Sequence, residues 1–250
     1  MGIVSMPEKE EPEMSSATAV QTGVEWPIFA RLVLKLLAFT ALWGAVLFIS
    51  AGRLDWPRAW IYLALCVLGM AVNAVGLIWK NPGLIRERWK KRANTKTYDK
   101  VFMWLYLPTV FALVVVAGLD AGRLGWSSMG PETLFAGVVL HLLGSIPIAG
   151  AMATNPHLET TVRIQEDRGH RVIASGPYRV VRHPMYAGMI LQFAGAPLVL
   201  GSLWACLPAA VAPVLAIVRT ALEDRTLRRE LPGYEAYAQR TRYRLLPGVW

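Results

Sequence analysis

Charge is scarce in this chain. Only 17% of its residues are Asp, Glu, Lys or Arg, against about a quarter in an ordinary soluble domain. With an apolar fraction of 54% and a positive mean hydropathy, that shortage speaks against a water-soluble globule. Cysteine is scarcer still: Cys66 and Cys206 each sit inside an apolar run and form no C-x-x-C pair. Both read as small core residues. No cluster with metal-ligand spacing is present, so no metal is expected. No repeat of roughly 20–50 residues is visible, and nothing argues for a second globular domain.

Residues 1–25 are acidic, hold Pro, Ser and Thr, and lack a sustained apolar core. A disordered tail is expected there rather than a signal peptide. The opening Met-Gly has the form of a myristoylation start, but Met6 stands where that pattern requires Ser or Thr.

What the chain has in abundance is long apolar runs. A hydrocarbon core of about 30 Å is crossed by roughly 20 apolar residues in a helix. The segments 28–50, 59–79, 101–119 and 133–153 meet that length. The run 185–221 is long enough for two more spans in a tight hairpin, broken near Gly201, with Pro197, Pro208 and Pro213 inside it. Prolines are tolerated in membrane helices where neighbours re-satisfy the freed carbonyls. The expected fold is an all-α polytopic membrane bundle of about six spans, or five with the last pair partly re-entrant. Residues 26–153 supply the first four.

The net charge of +9 could suggest nucleic acid or an anionic surface, and its distribution decides. Stretches 80–100, 154–184 and 219–250 hold 20 of the 26 Lys and Arg, whereas the opposite loops hold only Arg53, Arg58 and Arg123. That asymmetry places the basic stretches and both termini in the cytosol. It also explains the positive charge without nucleic acid. The tail from Glu223 is too polar to span. Pro232–Gly233 should divide it into two short amphipathic helices lying on the cytosolic face.

Three polar clusters fall on that side: residues 155–171, the stretch "GPYRVVRHPMYAG" at 176–188, and "RTALEDRTL" at 219–227. Pro184 suits the first position of a helix, with His183 near its N-cap. The open amides of that first turn, beside Arg179 and Arg182, would form an anion site. Arg219 and Glu223, four apart, share a helix face. Closure of the hairpin brings Glu223 and His183 to one depth, making a mouth suited to a zwitterion. Each residue also has a plainer reading. The arginines are topology anchors, Tyr178 and Tyr186 are interfacial aromatics, and Arg219–Glu223 is a surface ion pair. His141, inside the fourth span, is either a core histidine or a substrate contact. Asn155 is either a helix-terminal cap or a contact of the site.

In their order, the motif G-P-Y-R-x-x-R-H-P-x-Y-x-G, the apolar hairpin, R-x-x-x-E-D-x-x-L and Y-x-x-Y resemble the isoprenylcysteine carboxyl methyltransferase and phospholipid methyltransferase superfamily. The resemblance covers roughly residues 150–250. It implies an integral-membrane, S-adenosylmethionine-dependent methyltransferase with no Rossmann domain, whose cofactor-binding core is residues 154–250. It implies Tyr178, His183, Pro184, Tyr186, Gly188, Glu223 and Asp224 as the cofactor's wall, Gly188 admitting the cofactor close to the backbone. Asp224 stands where the family commonly has a second glutamate. Arg182, Arg219 and Glu223 are the expected catalytic residues, Arg219 orienting Glu223 or meeting an anion. Asn155 and His141 are the expected acceptor contacts. The implied acceptor is a lipophilic small molecule or lipid, most concretely an isoprenylcysteine-like carboxylate. A phospholipid amine or a small thiol is the alternative within the family. A transporter and a non-catalytic scaffold are the readings outside it; the lack of inverted repeats and of acids deep in the spans argues against transport.

Overall fold

A computed structural model describes residues 26–90 and 95–250; the tail expected at 1–25 lies outside the described residues. The long helices are α1 (Trp26–Ala51), α2 (Pro57–Lys80), α4 (Thr97–Ala117), α5 (Pro131–Thr154), α6 (Pro184–Leu200) and α7 (Cys206–Glu230). Short helices α3 (Pro82–Glu87) and α8 (Tyr234–Arg240) complete the set. Among the described residues there is no strand. Four helices open on proline, at Pro57, Pro82, Pro131 and Pro184. Proline at a first helical position costs no hydrogen bond, because that amide has no intrahelical partner anyway.

Among the described residues five helices are long and apolar enough to cross a membrane: α1, α2, α4 with its wider-wound continuation to Leu124, α5 and α7. α6, at 17 residues, falls short of that length; it measures about 26 Å. The expected hairpin is present, turning at Gly201, whose φ of +76° is readily adopted by glycine. Large apolar side chains point outward along the bundle, Trp104, Trp79 and Phe135 among them. An integral membrane protein buries such a surface in lipid, whereas a soluble monomer rarely tolerates an apolar patch of this extent.

The main core joins α1, α2, α4 and α6 through Leu47, Leu63, Val114 and Val199. α5 and α6 run against each other over most of their length. Glycines make that approach possible. A Cβ on Gly188 would collide with the Gly144 carbonyl oxygen, and one on Gly195 would lie 2.7 Å from the Gly137 carbonyl oxygen. Small residues let membrane helices pack backbone to backbone. Gly188 therefore serves the α5–α6 contact, which corrects the expectation that its bare backbone faces a cofactor.

The tail differs from expectation. No first amphipathic helix separates at Glu223; α7 continues without a break to Glu230. The break at Pro232–Gly233 is present, and α8 packs Tyr234, Tyr237 and Ala238 onto Ala151 and Tyr178. The following segment returns to the 176–188 stretch, where the Arg182 and His183 amides donate to the Tyr243 and Arg244 carbonyls, each at 2.9 Å.

Candidate functional site

At the end of the bundle where α5 and α7 finish and α6 begins, five pieces of chain surround one cleft. They are Asn155 at the end of α5, the loop 157–173, the turn Gly176–Arg179 with the start of α6, the outer half of α7, and α8. The empty space is ≈ 790 Å³, including the open mouth.

Asp224 is the hub behind the cleft wall. Fully buried, it accepts from Arg182 Nε at 2.7 Å and Arg182 Nη2 at 3.1 Å. It also accepts from Arg244 Nε at 3.0 Å, Arg228 Nε at 3.3 Å and the Tyr234 hydroxyl at 3.0 Å. Arg182 Nη1 donates to the Thr241 and Arg242 carbonyls, both at 2.7 Å. Arg182 is thus consumed in holding the 176–188 stretch to α7 and the C-terminal segment. The Arg182 and His183 amides, directly before the first turn of α6, are consumed as well. Asp224 also neutralises Arg182, one of the two cations expected beside the start of α6. A buried carboxylate has to gather donors or leave its charge uncompensated.

Glu223, the neighbour of Asp224, faces the cleft. It accepts from the Tyr186 hydroxyl at 2.6 Å, and His183 Nδ1 lies 4.0 Å from its other oxygen. The His183 and Tyr186 rings lie nearly parallel with centroids 5.9 Å apart. His183 Nε2 approaches Asp224 Oδ1 at 3.5 Å, so the ring sits between the two acids.

Arg219 does not pair with Glu223 as expected. Its ion-pair partner is Asp99 at 2.6 Å, and the same Nη2 donates to the Thr160 carbonyl at 3.1 Å. The physical reason is depth: Asp99 is fully buried near the start of α4, and a guanidinium is the donor that can reach it. The Arg219 guanidinium also lies 4.4 Å over the Phe102 ring, a cation–π contact. Its Nε is buried without a hydrogen-bond partner among the described residues, and the residue lines the cleft. Asp99 accepts in addition from the Val162 amide at 3.0 Å, tying the 157–173 loop down.

Asn155 both caps and contacts. Its Oδ1 accepts from the His157 amide at 2.8 Å, and its Nδ2 donates to the Tyr178 hydroxyl at 3.1 Å. Tyr178, buried, is held from the other side by the Tyr237 hydroxyl, which donates to its carbonyl at 2.8 Å; burial pushes the Tyr178 phenol pKa up. Pro184 and Tyr186 also line the cleft. Asp224, Gly188 and His141 do not. His141 is buried beside Tyr62, edge to face at 6.2 Å. It lies 14 positions before Asn155, about 21 Å along the helix axis.

Several lining residues escaped the sequence reading, notably His157, Gln165, His170 and Tyr234. Gln165 Nε2 donates to the His157 carbonyl at 2.6 Å, and the two histidine rings lie 4.7 Å apart. Burial, then the His157 charge, lowers His170 to about 4. Burial also lowers the pKa of His157, whose Nδ1 is buried without a partner among the described residues. The only sequence signal for this group was the concentration of polar residues in 155–171. Among the described residues no group of three or more His, Cys, Asp and Glu is placed to hold a metal ion.

The fold and cleft define an integral membrane protein with one polar site at the end of a helical bundle. Residues 133–232, two fifths of the chain, are similar to the phospholipid methyltransferase family model. That segment contains both polar motifs and the hairpin between them. The chain is also similar to the cobalt-zinc-cadmium resistance protein CzcN of Cupriavidus metallidurans, at 29% identity over 151 residues. The match covers 59% of this chain and spans 64% of that relative's length.

Proposed function

We propose that the protein is an S-adenosylmethionine-dependent membrane methyltransferase that methylates a carboxylate on a lipophilic, isoprenylcysteine-like acceptor. The observation that carries this reading is the convergence of Tyr178, His183, Tyr186, Arg219 and Glu223 on one cleft, within a methyltransferase-family segment.

The donor set fits the cofactor. An ammonium or ribose hydroxyl has Glu223 to receive it, while an adenine edge has the unpartnered His157 Nδ1. Tyr178 and Tyr234 supply aromatic walls. The chemistry that a bound S-adenosylmethionine supplies is an already activated sulfonium methyl group. The protein's own task is then positioning and exclusion of water. Arg219, whose Nε has no hydrogen-bond partner among the described residues, draws in the acceptor carboxylate and fixes its direction. Asp99 and the Phe102 ring hold that guanidinium in place. Arg182, which also lines the cleft, holds its wall together through Asp224. The basic ends of the helices support a cytosolic cleft, with the cofactor entering from water and the acceptor from lipid.

A phospholipid amine is the second reading, favoured by the description of the matching family. Arg219 supports the carboxylate, since its Nε–H, without a partner among the described residues, can donate to a carboxylate oxygen but has nothing to donate to in an ammonium.

Calorimetry of S-adenosylmethionine binding to the detergent-purified chain tests the cofactor. Binding by the wild type, lost in Glu223→Ala, is expected; no binding by the wild type sinks the reading. Labelled-methyl transfer to prenylcysteine analogues, phospholipid amines and thiols then separates the acceptors. Base-labile methyl ester in the product marks the carboxylate, and stable label marks the amine or thiol.

A further inference from the structure

A second cavity lies outside the site just described. It is a groove between α1 and α2, closed at one end by α3 and Met152, with ≈ 1170 Å³ of empty space including its open side. Its walls are apolar, among them Leu36, Met70, Ala74 and Ile78. From Met70 to Ile78 it follows α2 for nine residues, about 12 Å. Any membrane protein has apolar outer surface, so this lining alone selects nothing. Its end does.

At the α3 end stand Lys35 and Arg88, both in the groove wall. Arg31 is one helical turn before Lys35, on the same face. Acids close to this end already have partners: Glu87 pairs with Lys90 at 2.7 Å, and Glu159 with Arg163 at 2.9 Å. Among the described residues no carboxylate lies within ion-pair distance of Arg31, Lys35 or Arg88. Arg88 is half-buried, and its one described hydrogen bond is from Nη1 to the Leu158 carbonyl at 2.6 Å. Burial lowers its pKa, against the opposing influence of Tyr186 and Glu159. Lys35 Nζ sits 4.3 Å over the Trp89 ring, which fixes an ammonium beside an interfacial aromatic. The sequence around α3 reads Arg86-Glu87-Arg88-Trp89-Lys90-Lys91-Arg92, a basic cluster directly after a membrane helix. A greasy groove thus ends in cations that, among the described residues, have no carboxylate within ion-pair distance.

We propose that this groove is a binding site for an anionic lipid, its acyl chain lying between α1 and α2 and its phosphate on Arg88 and Lys35. Asn73, whose Oδ1 is buried without a partner among the described residues, lines the same groove and gives a lipid hydroxyl an acceptor. Leu158, the hydrogen-bond partner of Arg88, lines the cleft, so the lipid's headgroup sits one residue behind the cleft wall. The site stands independently of methyl transfer.

Native mass spectrometry of the full chain in detergent, with equimolar palmitoyl-oleoyl phosphatidylglycerol or phosphatidylcholine, tests this. Phosphatidylglycerol is expected to be retained over phosphatidylcholine. Arg88→Gln and Lys35→Gln should each lower its retention roughly fivefold, while Arg53→Gln, at the opposite end, leaves it unchanged. Ala71→Phe should reduce retention of both lipids by filling the groove. If Arg88→Gln fails to fold, the exposed Lys35 carries the same comparison. Equal retention of the two lipids overturns the proposal, as does an Arg53→Gln loss equal to the others. Displacement by inorganic phosphate alone assigns the end to a free anion and also overturns it.

Discussion

Arg182 and Asp224, 42 positions apart, meet through two hydrogen bonds of 2.7 and 3.1 Å in the protein interior. One residue begins the α6 approach and the other ends the α7 exit, so this pair closes the open end of the hairpin. Replacing Asp224 with Ala leaves Arg182 buried without its counter-charge. Loss of one partner from such a pair costs about 3–5 kcal/mol. Thermal unfolding in detergent should show a large fall in midpoint for Asp224→Ala and for Arg182→Ala. An unchanged midpoint for Arg182→Ala would return that residue to a direct catalytic role.

Glu223 should behave in the opposite way. It faces the cleft and receives one described hydrogen bond, from Tyr186. Glu223→Gln keeps the shape and removes the charge. Calorimetry should give S-adenosylmethionine binding weakened roughly ten- to hundredfold, the worth of one charge-assisted hydrogen bond. The unfolding midpoint should stay near that of the wild type.

The α5–α6 contact admits no side chain at Gly188, where a Cβ meets the Gly144 carbonyl oxygen and, at 2.7 Å, Ile148 Cγ1. Gly188→Ala forces two backbones apart and should cost about 1–3 kcal/mol. Gly83→Ala, in the open at α3, is the control. Unfolding midpoints of the two variants check this; equal values would show that α5 and α6 have room to spare.

His170 makes stability depend on pH. Its pKa is lowered from 6.5 to about 4 by burial, so the unfolded chain takes up a proton at higher pH than the folded one. Stability therefore falls as pH drops from about 6.5 and levels off below about 4, the unfolded state binding more protons in that window. His157 shifts in the same direction. His170→Gln should flatten this part of the profile. Midpoints measured at half-unit pH intervals would show it, and an unaltered slope would refute it.

The first four membrane helices were legible in the chain itself, whereas α7, expected to end near residue 221, runs on to Glu230. Hydropathy is a local property, summed over about 20 consecutive residues, and proline at a first helical position is written in the sequence. Glu223 and His183 could be brought to one depth from the hairpin alone, since both flank it. The division of labour between Glu223 and Asp224 could not. Adjacent on a helix, they point about 100° apart; one meets the cleft and the other meets Arg182, Arg228 and Arg244.

The same limit applies to Arg219. Its position four before Glu223 made that acid the natural partner, yet Asp99, 120 positions earlier, holds it. Asp99 stands at the start of a span, where an acid is costly unless paired. That cost was visible in the sequence, but its partner was not. Gly188 was read as making room for a ligand, whereas its room is taken by α5.

What the sequence by itself determined is the class of structure. Apolar length sets the spans, the Lys and Arg distribution sets the expected sidedness, and two polar motifs bracket one hairpin. What only the tertiary structure decided is which charged groups are consumed in holding the site together and which remain open to a ligand. Ion pairs form between whichever groups packing brings within about 4 Å, and the packing of helix faces is a property of the assembled bundle, not of any one segment.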